Sequence, residues 1–176
     1  MKMEMIFSGF GGQGSLTIGR FIAQACMIEG KHVTWFPSYG PEMRGGTANV
    51  SVVVSDKPIS SPIVSHPCLI VALNQPSLDK FGPTVKSKGI SIVNSDLCPS
   101  IVKRDDVDYV LAPMNTIATE IGSIKTLNMV AIGLVIAKTG LFKFETIEKA
   151  IISSMGAKNK ELAEMNVKAI KAGMEM

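Results

Sequence analysis

Residues that hold metals, clusters or disulfides are scarce in this chain. Its 176 residues include three cysteines and two histidines. Cys26, Cys68 and Cys98 stand far apart with no C-x-x-C, an odd set that excludes a disulfide framework and fits a reducing compartment. An iron–sulfur cluster usually takes four thiolates, so three scattered ones argue against a cluster held by this chain alone. His32 and His66 show no zinc-ligand spacing, and the plain reading of the thiols is packing. Charge is also thin, at 19% of residues with a net +3 spread along the chain. Nucleic-acid binding would need a basic patch or stripe, and none is visible. No basic segment leads into a small-residue cleavage site. The most apolar window, residues 126–140, has an apolar core of about ten residues against the roughly 20 of a membrane span. The expectation is a cytoplasmic protein that does not enter a membrane.

What is present is apolar: 46% of residues, enough to cover both faces of a sheet or to meet partners. Short apolar runs alternate with helical patterns, the signature of α/β architecture. Strands are expected from Glu4, His32, Asn49, Cys68, Ile90 and Val107, and helices over 16–28, 126–138, 144–153 and a final stretch with Leu162, Met165, Ala169 and Ile170 on one face. Pro76 suits the first turn of a short helix. Residues 126–138 are apolar nearly all round, so that helix is buried between layers or under a partner. The pattern gives one domain, 1–176, built as a three-layer, Rossmann-like α/β fold with a mainly parallel sheet.

Gly9, Gly11 and Gly14 form G-x-G-x-x-G between the first strand and the first helix. Glycines there permit positive φ and bring backbone N–H groups close to a ligand, and the helix start adds unpaired N–H groups and a positive dipole end. With Gly12 and Gln13 they form a candidate anion cradle, to which the Ser8 and Ser15 hydroxyls lie close in sequence. A tight turn needs glycine whether or not anything binds. A dinucleotide site also carries an acid at the end of the second strand to hold the ribose. Here that strand ends Thr34-Trp35-Phe36-Pro37-Ser38, with no acid. Other polar residues at strand ends read more plainly: Asn74-Gln75 and Asp96 as turns, and Lys103 to Asp106 as a solvated charge run.

The second unusual stretch runs from Ser38 to Ala48 and is too rich in Gly and Pro to sustain either periodicity. Glu42 and Arg44 sit between Gly40-Pro41 and Gly45-Gly46, with Trp35, Phe36, Tyr39 and Met43 alongside. Aromatics, Met and Arg together mark buried contact surfaces, so this reads as a recognition loop.

Gly9-Phe-Gly-Gly-Gln-Gly14 followed by Ser38-Tyr-Gly-Pro-Glu-Met-Arg-Gly-Gly46 closely resembles the gamma subunit of the 2-oxoacid:ferredoxin oxidoreductases, and Leu127 to Gly133 is similar to that family's late helix. The resemblance implies a complex that oxidatively decarboxylates a 2-oxoacid to an acyl-CoA and passes electrons to ferredoxin. Thiamine diphosphate, magnesium and iron–sulfur clusters are then expected on partner alpha and beta subunits. None is expected to be held firmly by this chain, which carries no catalytic residue and is associated with the coenzyme A side of the reaction. Gly9, Gly11, Gly12, Gln13, Gly14 and Arg44 become candidate CoA contacts; Tyr39, Glu42, Met43 and Arg44 become candidate subunit contacts, with self-association a further candidate for the isolated chain. The resemblance leans towards 2-oxoglutarate, with pyruvate, branched-chain oxoacids and indolepyruvate also open. The opposing reading is a stand-alone NAD(P)- or nucleotide-binding protein.

Overall fold

The first strand, β1 (Lys2–Phe10), carries Met5 and Phe7 towards one face and Ile6 towards the other, all buried. A strand apolar on both faces belongs in the middle of a covered sheet. The computed structural model describes residues 1–40, 46–156 and 159–176. After β1 come α1 (Ser15–Ile28), β2 (His32–Tyr39), β3 (Thr47–Ser55), β4 (Leu69–Ala72), α2 (Gln75–Phe81), β5 (Ile90–Asn94), β6 (Asp108–Ala112), α3 (Met114–Ile121), α4 (Leu127–Thr139), α5 (Phe144–Ile151) and α6 (Lys160–Met174). The six strands lie in the order β2-β3-β1-β4-β5-β6.

The sheet is mixed. β1, β4, β5 and β6 run parallel, whereas β3 pairs antiparallel with both β1 and β2. The mainly parallel α/β expectation therefore holds, with two antiparallel pairings added. Residues 40–46 between β2 and β3 are too few for a parallel crossover, which needs a dozen or more. The stretch from Ser38 to Ala48 contributes strand at both ends: Tyr39 pairs with Ala48, and Gly40 N–H donates to Thr47 O (2.9 Å).

One face of the sheet carries α1, α3 and α4, which share a core with Phe7, Val50, Val52, Val71 and Ile92. The other face is covered more thinly. Ile6, Val53, Ile70 and Val93 meet α2 and the irregular segments around Val64 and Cys98. Residues 56–67 form no regular element, as their Pro- and Ser-rich composition predicts. α1 ends at Gly30, whose φ of 79° lets its own N–H reach Met27 O and lets that of Lys31 reach Cys26 O.

α4 is buried from Leu127 to Ile136, between the sheet-facing layer and α6. Its contact with α6 is backbone on backbone. A Cβ on Gly133 would lie 2.1 Å from Ile170 O, and one on Gly173 would lie 2.2 Å from Val130 O. The buried face of α6 is therefore Ala163, Asn166, Ala169, Ile170 and Gly173. Leu162 and Met165, expected on that face, are only half-buried, because the helix rotates to bring its small residues inward. α3 has a legible apolar repeat, Met114, Ile117, Ala118 and Ile121, which the sequence reading passed over.

Ion pairs at Glu4 and Arg104 tie irregular segments to the frame. Glu4 is bonded by Lys86 and by Lys2 (2.9 Å), and these hydrogen bonds hold its carboxyl below the ordinary range. The Lys103–Asp106 run is more than solvated charge. Arg104 grips the Asp106 carboxylate with two hydrogen bonds (2.9 and 2.6 Å) while its third nitrogen donates to Val85 O (2.7 Å).

Gly173→Ala should lower stability by about 2–3 kcal/mol through overpacking, lowering Tm by roughly 5–10 °C in a thermal melt, while Lys168→Ala on the exposed face of α6 leaves it unchanged. The native Glu4 pKa is lowered, so its contribution is complete above the ordinary carboxylate value and is lost as pH falls through the native one. The urea midpoint should fall below about pH 4.5, and Lys86→Met should flatten that dependence.

Candidate functional site

The turn between β1 and α1 lies at the carboxyl edge of the parallel strands, where open α/β sheets bind ligands. Gly12 and Gly14 have φ of 98° and 87°, a region L side chains rarely adopt. Gly14 is the N-cap of α1 and no side chain caps the helix; the Ser15 hydroxyl instead donates to Ala48 O on β3 (3.3 Å). Of the turn's own N–H groups, that of Gly11 donates to Gly46 O (2.8 Å) and that of Gln13 to Phe10 O (3.1 Å). Those of Gly12 and Gly14 have no partner among the described residues. The turn thus presents donors and a bare helix start, the chemistry of an anion site.

The Gln13 side chain faces inward rather than towards a ligand. Its Oε1 accepts from Phe10 N–H (2.6 Å) and Asn74 Nδ2 (2.9 Å), and its Nε2 donates to Leu73 O (3.4 Å). Gly9 makes room for this: a Cβ there would stand 2.7 Å from Gln13 Oε1. The carboxamide pattern continues along the strand ends. Asn94 Nδ2 donates to Leu73 O (3.1 Å) and Asn115 Oδ1 (2.8 Å), and Asn94 Oδ1 accepts from Met114 N–H at the start of α3. Asn74 Oδ1 accepts from Ser77 N–H, capping α2, while Ser8 Oγ donates to Ser77 Oγ (2.9 Å). Gln75 bonds Asp79 and the Ser100 main chain. Asp96 accepts from the Thr116 N–H and hydroxyl, capping α3 from outside. Two helix starts, those of α2 and α3, are fixed by side chains from strand ends, and the side chains of Ser8, Asn74 and Gln75 all have partners within the protein.

Two clefts flank the turn. One, of about 260 Å³, is bounded by Phe10, Gly12, Thr17, Tyr39 and Ala48. The other, of about 440 Å³, opens towards α4 and is bounded by Gly12, Thr17, Asn115, Lys125 and Asn128. Asn128 was not singled out from sequence, although its segment was. Its Nδ2 would stand 2.7 Å from a Cβ on Gly14, so the two residues are matched in size. Its Oδ1 is buried without a partner among the described residues. Tyr39 borders the first cleft and is half exposed. Glu42, Met43 and Arg44 lie outside the described residues.

The ribose test takes a different form in three dimensions. The strand beside β1 on this side is β3, which enters the edge with Thr47 and Ala48 instead of leaving it. β2, where the acid was sought, lies one strand further out. A hairpin-length connection between two strand patterns was the available signal. Neither Thr47 nor Ala48 can bind a ribose diol as a carboxylate does.

The cysteines occupy separate places. Cys26 is buried in α1 and Cys98 beneath the α2 face, and burial pushes their thiols up to about 12 and about 11. Cys68 exchanges hydrogen bonds with the Glu4 main chain. Among the described residues no three Cys, His, Asp or Glu side chains gather as a metal site, and no helix is long and apolar enough to cross a membrane.

Gln13→Leu should remove the partners of Phe10 N–H and the Asn74 amide, costing about 1–2 kcal/mol. A urea titration measures the loss, and amide exchange at Phe10 should accelerate with it.

Residues 4–176 match the family described as pyruvate ferredoxin/flavodoxin oxidoreductase. The chain is 38% identical over 176 residues to ketoisovalerate oxidoreductase subunit VorA of Methanothermobacter marburgensis, covering 99% of this chain but 36% of that one. It therefore spans little more than a third of that relative. It is 35% identical over 180 residues to 2-oxoglutarate synthase subunit KorC of Methanocaldococcus jannaschii, covering 100% of this chain and 94% of the relative. Its fold matches the crystal structure of the keto/oxoacid ferredoxin oxidoreductase gamma subunit from Geobacter sulfurreducens, with TM-score 0.83, 32% identity, and coverage of 98% and 96%. The glycine turn, the antiparallel hairpin and the buried late helix are thus those of a chain that belongs to the pyruvate ferredoxin/flavodoxin oxidoreductase family, as a gamma subunit.

Proposed function

We propose that this chain works within a 2-oxoacid:ferredoxin oxidoreductase that converts a 2-oxoacid to an acyl-CoA and passes electrons to ferredoxin. Its own part is to hold a phosphate of CoA at the β1–α1 turn. The observation that supports this is the pair of N–H groups at Gly12 and Gly14, unpartnered among the described residues and set at positive φ before an uncapped helix. A phosphate placed there meets backbone donors and the positive end of α1. Gly9 and Gln13 act one layer back, where they shape the turn. Arg44, which lies in the sequence between β2 and β3, supplies in this reading the positive charge a phosphate needs.

The carbon–carbon cleavage and the electron transfer belong to alpha and beta partner subunits carrying thiamine diphosphate, magnesium and iron–sulfur clusters. The thiols of this chain suit packing, and in this reading its residues position rather than react. The substrate class is a 2-oxoacid. 2-Oxoglutarate is the leaning of the sequence resemblance, and relatives named for ketoisovalerate and for 2-oxoglutarate are both similar to this chain.

A second reading gives the same loop to assembly: Tyr39, Glu42, Met43 and Arg44 seat a neighbouring subunit. Tyr39 supports it, being half exposed at the cleft's rim. One substitution separates the two. In the assembled complex Arg44→Ala should weaken CoA binding at least about tenfold, the value of one charge-assisted bond to phosphate, measured by calorimetric titration. Unchanged affinity together with dissociation on size exclusion would assign the loop to docking instead. Nicotinamide-nucleotide binding by the isolated chain would overturn both.

A further inference from the structure

Three helices begin at the cleft on the α4 side of the glycine turn. Gly14 is the N-cap of α1, Asn115 is the second residue of α3, and Leu127 and Asn128 open α4; all four border the same space of about 440 Å³. A helix start carries unpaired N–H groups and a partial positive charge. At α3 these are already answered, because the Asn94 carboxamide accepts from Met114 N–H and the Asp96 carboxylate from Thr116 N–H. α1 and α4 have no side-chain cap, so their positive ends meet at the cleft. Among the described residues no acidic side chain borders it, whereas Lys125 does. The smaller cleft, on the Tyr39 side, has no charged side chain on its described wall.

Asn128 is a second and independent sign of a ligand. It is 9% exposed, and its Oδ1 is buried with no partner among the described residues. An unpaired buried acceptor costs about 1–3 kcal/mol, so the fold does not hold this carboxamide for the bonds of its oxygen. The other end, Nδ2, lies against the N-cap of α1, where a Cβ on Gly14 would stand 2.7 Å from it. Asn115 accepts from Asn94 Nδ2 through its own Oδ1 (2.8 Å), which leaves its Nδ2 as a donor. Lys125 stands on a 3₁₀ turn, Ile124–Thr126, that Ser123 fixes: the Ser123 hydroxyl accepts from Lys125 N–H (3.3 Å) and its carbonyl from Thr126 N–H (3.0 Å). The wall thus offers donors and one cation.

We propose that the phosphate sits in this cleft, on the α4 side of the turn, with Lys125 as its counter-charge and Asn128 Nδ2 as a donor beside the Gly12 and Gly14 N–H groups. The inference rests on the CoA reading above and adds to it a side of the turn and two binding residues. A phosphate in the cleft is met by hydrogen-bond donors, an ammonium group and two helix starts, each of which favours negative charge. The unpaired Oδ1 is then the cost in stability of presenting Nδ2 at the site, the local conflict expected where a residue is kept for function.

The test is calorimetric titration of CoA into the assembled complex, with size exclusion and thermal melts alongside. Lys125→Met should weaken binding at least about tenfold with the complex intact, and binding should then fall less steeply with added salt, because a screened charge pair has been removed. Asn128→Leu should weaken binding about tenfold while leaving the melt unchanged or raising it, since the unpaired acceptor leaves with the donor. Lys168→Met, on the exposed face of α6, should change neither. Wild-type affinity in both Lys125→Met and Asn128→Leu would overturn the α4-side placement and leave the CoA reading standing. A lowered melt with unchanged affinity in Asn128→Leu would make Asn128 a packing residue and overturn its part. A wild-type complex that binds no CoA would overturn the reading itself.

Discussion

The Gln13 carboxamide, turned back beneath its own loop, is the constraint around which the carboxyl edge is organised. It replaces the backbone partner that Phe10 loses when the chain leaves β1, and it reaches β4 through Leu73 and Asn74. The side chain is consumed internally, and the N–H groups of Gly12 and Gly14 have no partner among the described residues. Gly9 is the counterpart of this arrangement, since any side chain there would occupy the space of the amide oxygen. The same logic recurs at Asn74, Asn94 and Asp96, each fixing the start of a helix from a strand end. Preorganisation of this kind would lower the cost of holding the phosphate proposed above, because the donors are set in advance.

The antiparallel entry of β3 beside β1 makes this site differ from a dinucleotide fold that has the same glycine spacing. It puts a strand start where a Rossmann sheet has a strand end, and so removes the position from which a carboxylate would hold a ribose. It also creates the β2–β3 hairpin pairing, whose Gly46 O accepts from Gly11 N–H of the glycine turn. One topological change thus both withdraws the nucleoside contact and brings Tyr39, Gly46 and Ala48 beside the glycine turn.

Much of the fold was legible because strong patterns have one solution. The runs at Met5–Phe7, Leu69–Ala72 and Ile90–Asn94 became central strands, and the wholly apolar stretch after Thr126 became the helix buried between layers. What was not legible came from non-local contact. The small-residue face of α6 is decided by the backbone of α4, which no periodicity within α6 reports. The inward turn of Gln13 depends on Leu73 and Asn74, some sixty residues away. Asn128 meets Gly14 only after the whole sheet has formed. Two features were readable and passed over: the hairpin, from its short connection, and α3, from its repeat at Met114, Ile117, Ala118 and Ile121.

The register of β2 on β3 makes the exposed aromatics hostages of the interior. Val50, Val52 and Val54 fill the core beneath α1, and each is opposite an outer-column residue of β2. Adding or removing one residue within either strand would send Trp35 and Tyr39 to the far side of the sheet, or turn three core valines out with them. Within this pair of strands, length can therefore vary only in the connection between Gly40 and Gly46. Any divergence of this chain towards a new neighbour has to proceed by exchanging side chains on a fixed lattice or by remodelling that tip, since sliding the strand would sacrifice the fold.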